Sequence, residues 1–183
     1  EELSKIIPAL IEIRKHYPNV LISVDTYRAK VAEESINNGA DIINDISSGN
    51  LDKNMFSIIA KYKVPYIIMH MIGTPKNMQE KPTYNNVVEE VINYFHQKIK
   101  ILHDFGIDNL IIDPGFGFGK TLEHNYEILN NLEKFKCLKY PILVGVSRKS
   151  MIYKLLDTDA NQALNGTSVI NTIALTKGTD ILR

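Results

Sequence analysis

The sequence predicts an α/β fold built on a parallel sheet, and among such folds a (β/α)8 barrel. Three observations carry this. Short apolar, β-branched runs alternate with longer stretches of helical period. The runs are continuous and not strictly alternating, as in strands covered on both faces. Nearly every run also ends in polar residues: Asp25, Asn44 and Asp45, His70, Asp113, Ser147 with Arg148 and Lys149, and Arg183. Repeated strand–helix units imply right-handed crossovers. An open doubly wound sheet gathers ligand groups at one switch point, whereas a barrel brings all its C-terminal strand ends to one rim. Polar ends on six successive strands favour the barrel.

The chain opens on EELSKIIPALIEIRKH, with Leu3, Ile6, Ile7, Leu10 and Ile11 at helical spacing. Strands are predicted at 20–25 (VLISVD), 40–46 (ADIINDI), 64–70 (VPYIIMH), 109–114 (NLIIDP), 141–147 (PILVGVS) and 180–183 (DILR). Helices are predicted at 27–38, 52–62, 85–104, 123–134 and 161–177. The clearest has Val87, Val91, Phe95, Ile99 and Leu102 on one stripe and Gly106 as a stop; Gly39 and Gly178 end others. A complete barrel takes ~250 residues. With 183 residues, no initial methionine and a final run that stops as a strand begins, the chain reads as a segment with about six of eight strands. It is taken as one partial domain over 1–183, starting near the helix after strand 2 and ending in strand 8.

Apolar residues make up 44% and charged residues 23%, ordinary for a soluble globular protein. Lys plus Arg and Asp plus Glu balance at 21 each, so no global field draws nucleic acid or an anionic membrane. No apolar run approaches the ~20 residues of a membrane span. The single cysteine, Cys137, cannot form an internal disulfide, which suits a reducing cytoplasm, and its setting suggests packing or surface.

The stretch LIIDPGFGFGKT, residues 110–121, resembles a phosphate loop but places Pro114 where G-x-x-x-x-G-K-[ST] needs its first glycine. Proline offers no N–H, and Asp113 would repel an anion. Phe116 and Phe118 suit a flat ring better than a triphosphate. Asp25, with Thr26, either caps the next helix or faces a cleft. Of Asn44 and Asp45, one faces the cleft and the other supports the loop. Arg148 and Lys149 stand at a helix start that the macrodipole makes unfavourable for cations, with Ser147 and Ser150 as cap hydroxyls. An anionic or electron-rich ligand accounts for them, and Arg183 adds a cation to the same rim. His70 reads as a loop-holding histidine, and Met69 beside phenylalanines can pack on a planar ring. Carboxylates accept paired N–H donors, as on a 2-amino-4-oxo heterocycle, and a lysine can donate to its carbonyl. The combination points to a pterin- or guanine-like ligand with an anion nearby. Lys120 and Thr121 receive no catalytic role.

The stretches ISVDT (22–26), IINDIS (42–47), MHMIGTP (69–75), IIDPGFGFGK (111–120), VGVSRKS (144–150) and ILR (181–183) together resemble the bacterial dihydropteroate synthases of the pterin-binding barrel family. That resemblance implies a cytoplasmic homodimer of folate biosynthesis that uses Mg2+ and is a target of sulfonamides. It implies a transferase joining 6-hydroxymethyl-7,8-dihydropterin diphosphate to 4-aminobenzoate, with release of pyrophosphate. It assigns the pterin to Asp25, Asn44, Ile46, Met69, Asp113 and Lys149, and the aminobenzoate to Phe118, Lys149 and Ser150. Arg183 takes the pyrophosphate, and Asp25, Lys149 and Arg183 are the catalytic set. The family's magnesium-binding asparagine loop and second-strand loop have no counterpart here, so no metal ligand is assigned and residues 1–183 alone are expected to be inactive and poorly folded. A methyltetrahydrofolate-binding methyltransferase of the same family, or a non-catalytic pterin-binding module, stands as the alternative.

Overall fold

The computed structural model describes residues 1–73 and 82–183; Thr74 and Pro75, which close the MHMIGTP stretch, lie outside the described residues. The chain forms two compact units, Glu1–Met69 with Lys98–Ile111, and His70–Gln97 with Ile112–Arg183.

The first unit runs α1 (Glu2–His16), β1 (Ser23–Asp25), α2 (Ala29–Asn37), β2 (Ile42–Asp45), α3 (Met55–Tyr62) and β3 (Tyr66–Met69). It also holds the later part of α4 (Val87–Asp104) and the start of β4 (Leu110–Asp113). Its strands are parallel, with Ser23 opposite Ile42, Asp25 opposite Asn44, and Asp45 opposite Ile68. Tyr66 N–H donates to the Asn109 carbonyl at 2.9 Å, where β4 begins. Arg14 fixes the entry into β1, donating to the carbonyls of Pro18 and Val20 and pairing with Asp41 at 2.7 Å. Asp41 in turn accepts the Ile22 N–H at 2.8 Å.

The second unit continues with α5 (Leu122–Asn130), a 3-10 turn (Leu132–Leu138), β5 (Leu143–Val144), α6 (Ser150–Tyr153), α7 (Leu164–Thr176) and β6 (Ile181–Leu182). β5 pairs in parallel with β6, Leu143 opposite Ile181, and Ile112 bridges in parallel to Ile142.

Every predicted strand is present but shorter. Pro65 and Pro141 accept ladder bonds through their carbonyls, from Ile43 and Ile112 at 3.1 and 2.9 Å, yet have no N–H to return, so the ladders start after them. The stripe on α4 is buried as its period requires: Val91, Phe95 and Leu102 are fully enclosed. The helix predicted over 123–134 breaks at Asn131, which leaves helical geometry at φ −114° and caps Glu127 through its own amide, 2.9 Å from that carbonyl. Asparagine competes for backbone hydrogen bonds, and the chain tightens into a 3-10 turn instead.

Candidate active site

In the first unit the register sets Asp25 against Asn44, and because strand side chains alternate with period two, both point to one face. Asn44 Nδ2 donates to Asp25 Oδ1 at 3.1 Å. Its other atom, Oδ1, is buried with no hydrogen-bond partner among the described residues. A buried polar atom left so is a group that a ligand can complete. Asp25 does not cap α2: Thr26 Oγ1 accepts the Arg28 N–H at 3.2 Å and Asp52 accepts that of Ala29 at 2.8 Å.

Asp45 points the other way and is fully buried. It accepts from Ser47 N–H (2.8 Å), Ser47 Oγ (2.7 Å), Gly49 N–H (2.8 Å) and Tyr66 OH (2.6 Å). Of the Asn44–Asp45 pair, Asp45 is therefore the loop support. Ile46 is half-buried in that loop. Met69 is buried, its backbone N–H and carbonyl both engaged by Ser48 Oγ, at 2.8 and 2.9 Å.

In the second unit β4 delivers Asp113 to the start of the DPGFGFGK loop. Its Oδ1 accepts the Gly115 N–H at 2.8 Å. Burial pushes the carboxyl up; the Gly115 N–H and the charges of Lys149, Lys120 and Arg183 hold it back. Phe116 is fully buried and belongs to the core, which corrects its reading as a ring-flanking residue. Phe118 is half-exposed, and Lys149 Nζ lies 4.8 Å from its ring centre. Lys149 Nζ also donates to the Phe116 carbonyl at 2.6 Å. Burial lowers the Lys149 pKa, Asp113 opposing and Arg183 assisting. Gly117, at φ +80°, leaves the Lys149 stem room: a Cβ there would come within 3.4 Å of Lys149 Cδ.

The SRKS segment corrects one expectation. α6 is a single turn whose N-cap is Lys149, with no side-chain cap from either serine. So short a helix carries little macrodipole, and Lys149 turns its ammonium away to Phe116. Arg148 sits at φ +52° with its N–H on Thr167 Oγ1 at 2.9 Å. Ser150 is half-buried, opening α6 beside Lys149. Arg183 N–H donates to the Val144 carbonyl at 2.9 Å, and its Cβ would lie 3.9 Å from a Cβ built on Gly145.

Lys120 is the residue that sequence reasoning undervalued. It is 3% exposed, and its Nζ reaches His70 Nδ1 (3.0 Å) and the carbonyls of Gly115 (3.0 Å), Phe118 (3.1 Å) and His70 (3.3 Å). An ammonium has only donors, so Nδ1 accepts and the His70 proton sits on Nε2. Burial brings Lys120 down to about 7, Asp113 opposing and Lys149 assisting. Thr121 caps α5 in a capping box with His124, each side chain accepting the other's N–H at 3.2 Å.

The sequence matches the pterin binding enzyme family over residues 1–183. This chain belongs to that family. Among pterin-binding enzymes it is 43% identical over 185 residues to the dihydropteroate synthase of Escherichia coli, covering 100% of this chain and 65% of that one. It is 41% identical over 179 residues to the Clostridium beijerinckii dihydropteroate synthase, covering 97% and 64%. The Yersinia pestis dihydropteroate synthase, solved in a sulfonamide drug complex, matches with a TM-score of 0.95 at 38% identity, covering 99% of this chain and 66% of that one. The chain thus spans just under two thirds of the length of these relatives. Its fold class is the (β/α)8 barrel of these pterin-binding enzymes, with six strands among the described residues.

Proposed function

We propose that this chain carries the substrate-binding residues of a dihydropteroate synthase. The observation that supports it most is the Asp113 carboxyl buried among Lys149, Lys120 and Arg183, with Phe118 beside Lys149. An acid in that setting can accept the paired N–H edge of a pterin, while Lys149 and Arg183 suit a diphosphate leaving group.

Residue by residue, the reading assigns pterin contacts to Asp25, Asn44, Ile46, Met69, Asp113 and Lys149. Asn44 Oδ1, which has no hydrogen-bond partner among the described residues, would accept from a ring N–H. Phe118, Lys149 and Ser150 border the 4-aminobenzoate, and Arg183 holds the diphosphate. The C–O bond between the pterin methylene and the diphosphate breaks, and pyrophosphate departs with the electron pair. The amine nitrogen of 4-aminobenzoate then bonds to the methylene and releases a proton to solvent. The carboxylates stabilise the electron-poor ring in between, and Arg183 and Lys149 stabilise the charge that develops on the leaving group.

Mg2+ belongs to this reading, but among the described residues no three His, Cys, Asp or Glu side chains come together as ligands, so no step here is assigned to it. No helix among the described residues is long and apolar enough to cross a membrane. A cytoplasmic homodimer is part of the same proposal.

The test is pyrophosphate release by the protein as its gene encodes it. Release should require both the dihydropterin diphosphate and 4-aminobenzoate. Release indifferent to 4-aminobenzoate would sink the reading.

A further inference from the structure

Two lysines hold three of the carbonyls of the Gly115–Phe118 segment. Lys149 takes Phe116, at 2.6 Å, and Lys120 takes Gly115 and Phe118, at 3.0 and 3.1 Å. The glycines at 115, 117 and 119 all lie at positive φ (75°, 80° and 60°), so the loop has little stiffness of its own. Its N–H groups are tied locally, Gly115 to Asp113, Gly117 to Asn125 Oδ1 and Phe118 to the Gly115 carbonyl, at 2.8, 2.7 and 3.1 Å. The position of the Phe118 ring therefore depends on the carbonyl side, and on Lys120 in particular. Lys120 is itself braced from behind by His70 Nδ1 and too deeply buried to reach a substrate.

We propose that Lys120 is a positioning residue: by holding the carbonyls of Gly115 and Phe118 it fixes the Phe118 ring beside Lys149, and so sets affinity for the aromatic amine without touching it. This rests on the synthase reading above. Asp113 keeps its own bond to Gly115 N–H when Lys120 is lost, so the pterin side is affected less.

The experiment uses the protein as its gene encodes it and the variant Lys120→Met, which keeps length and apolar bulk but removes the donors. KM for 4-aminobenzoate should rise about tenfold, while kcat and KM for the pterin diphosphate stay within about threefold. On a Phe118→Ala background the same substitution should add less than about twofold, because the ring through which Lys120 acts is gone. An unchanged KM for 4-aminobenzoate overturns the proposal. So does a fall in kcat with both KM values unchanged, or an undiminished effect on the Phe118→Ala background. If Lys120→Met and Lys120→Gln both fail to fold, Lys120 is structural only and the proposal falls. Absence of two-substrate turnover in the unsubstituted protein counts against the synthase reading instead. The comparison is then made by calorimetric titration of 4-aminobenzoate: a tenfold weaker Kd in the variant supports the proposal, and equal or absent binding overturns it.

Discussion

Lys120 Nζ lies 3.0 Å from His70 Nδ1, and the imidazole answers by staying neutral far below its usual range. Burial and then the Lys120 charge bring the His70 pKa to about 3. The unfolded chain takes up this proton below about 6.5, the folded one only below about 3. Between those values the unfolded state binds more protons, so stability rises with pH across that window and is level above it. Stability should fall by up to about 5 kcal/mol as pH drops from 6.5 toward 3 through this group. His70→Asn, whose amide oxygen can still accept from Lys120, should flatten that slope in urea melts taken as a pH series. An unaltered slope would remove His70 as its source. Lys120 titrates in a separate window, above about 7.

Asp113→Ala removes the acid that the pterin reading depends on. Pterin affinity should fall by ~1–3 kcal/mol or more, because a ring N–H edge is left without acceptors in a dry site. Calorimetry with a pterin ligand checks this, and unchanged affinity in a folded variant would take Asp113 out of the site.

Asp45→Ala is a test of stability, not chemistry. Its carboxylate collects four donors from Ser47, Gly49 and Tyr66, all of which lose this acceptor on substitution. The loss should be about 3–5 kcal/mol in denaturant unfolding, at the upper end for one side chain.

Thr121→Ala separates the phosphate-loop resemblance from the helix cap. With the capping box to His124 gone, stability should drop by ~0.5–2 kcal/mol. KM for both substrates should stay within about twofold, since Thr121 reaches neither Asp113 nor Phe118 among its hydrogen bonds. A selective rise in KM for the diphosphate substrate would revive a phosphate role.

Gly117→Ala places a Cβ at φ +80°, where an L-residue costs ~1–2 kcal/mol, and 3.4 Å from Lys149 Cδ. Stability and amine affinity should fall together, whereas Gly106→Ala, at φ +75° with open space around it, should lower stability alone. Parallel unfolding and KM measurements on the two variants check the contrast.

The sequence by itself determined the alternation of strands and helices, the stripe on α4, and the polar residue at each strand's end, because burial writes period and punctuation directly into the chain. It determined the rejection of the phosphate loop too, since Pro114 and Asp113 contradict one chemically. It could not say which of Asn44 and Asp45 faces out, because both are polar and alternation alone does not fix the sign; pairing of Asp25 with Asn44 decided it. Nor could it separate Phe116 from Phe118, one buried and one half-exposed two residues apart. Above all it gave Lys120 no place. A lysine is legible as a surface charge or a motif letter, and only the fold reveals that its ammonium is turned inward onto carbonyls contributed by residues 70, 115 and 118. Those acceptors are local in space and scattered in sequence, so the roles they create belong to tertiary structure.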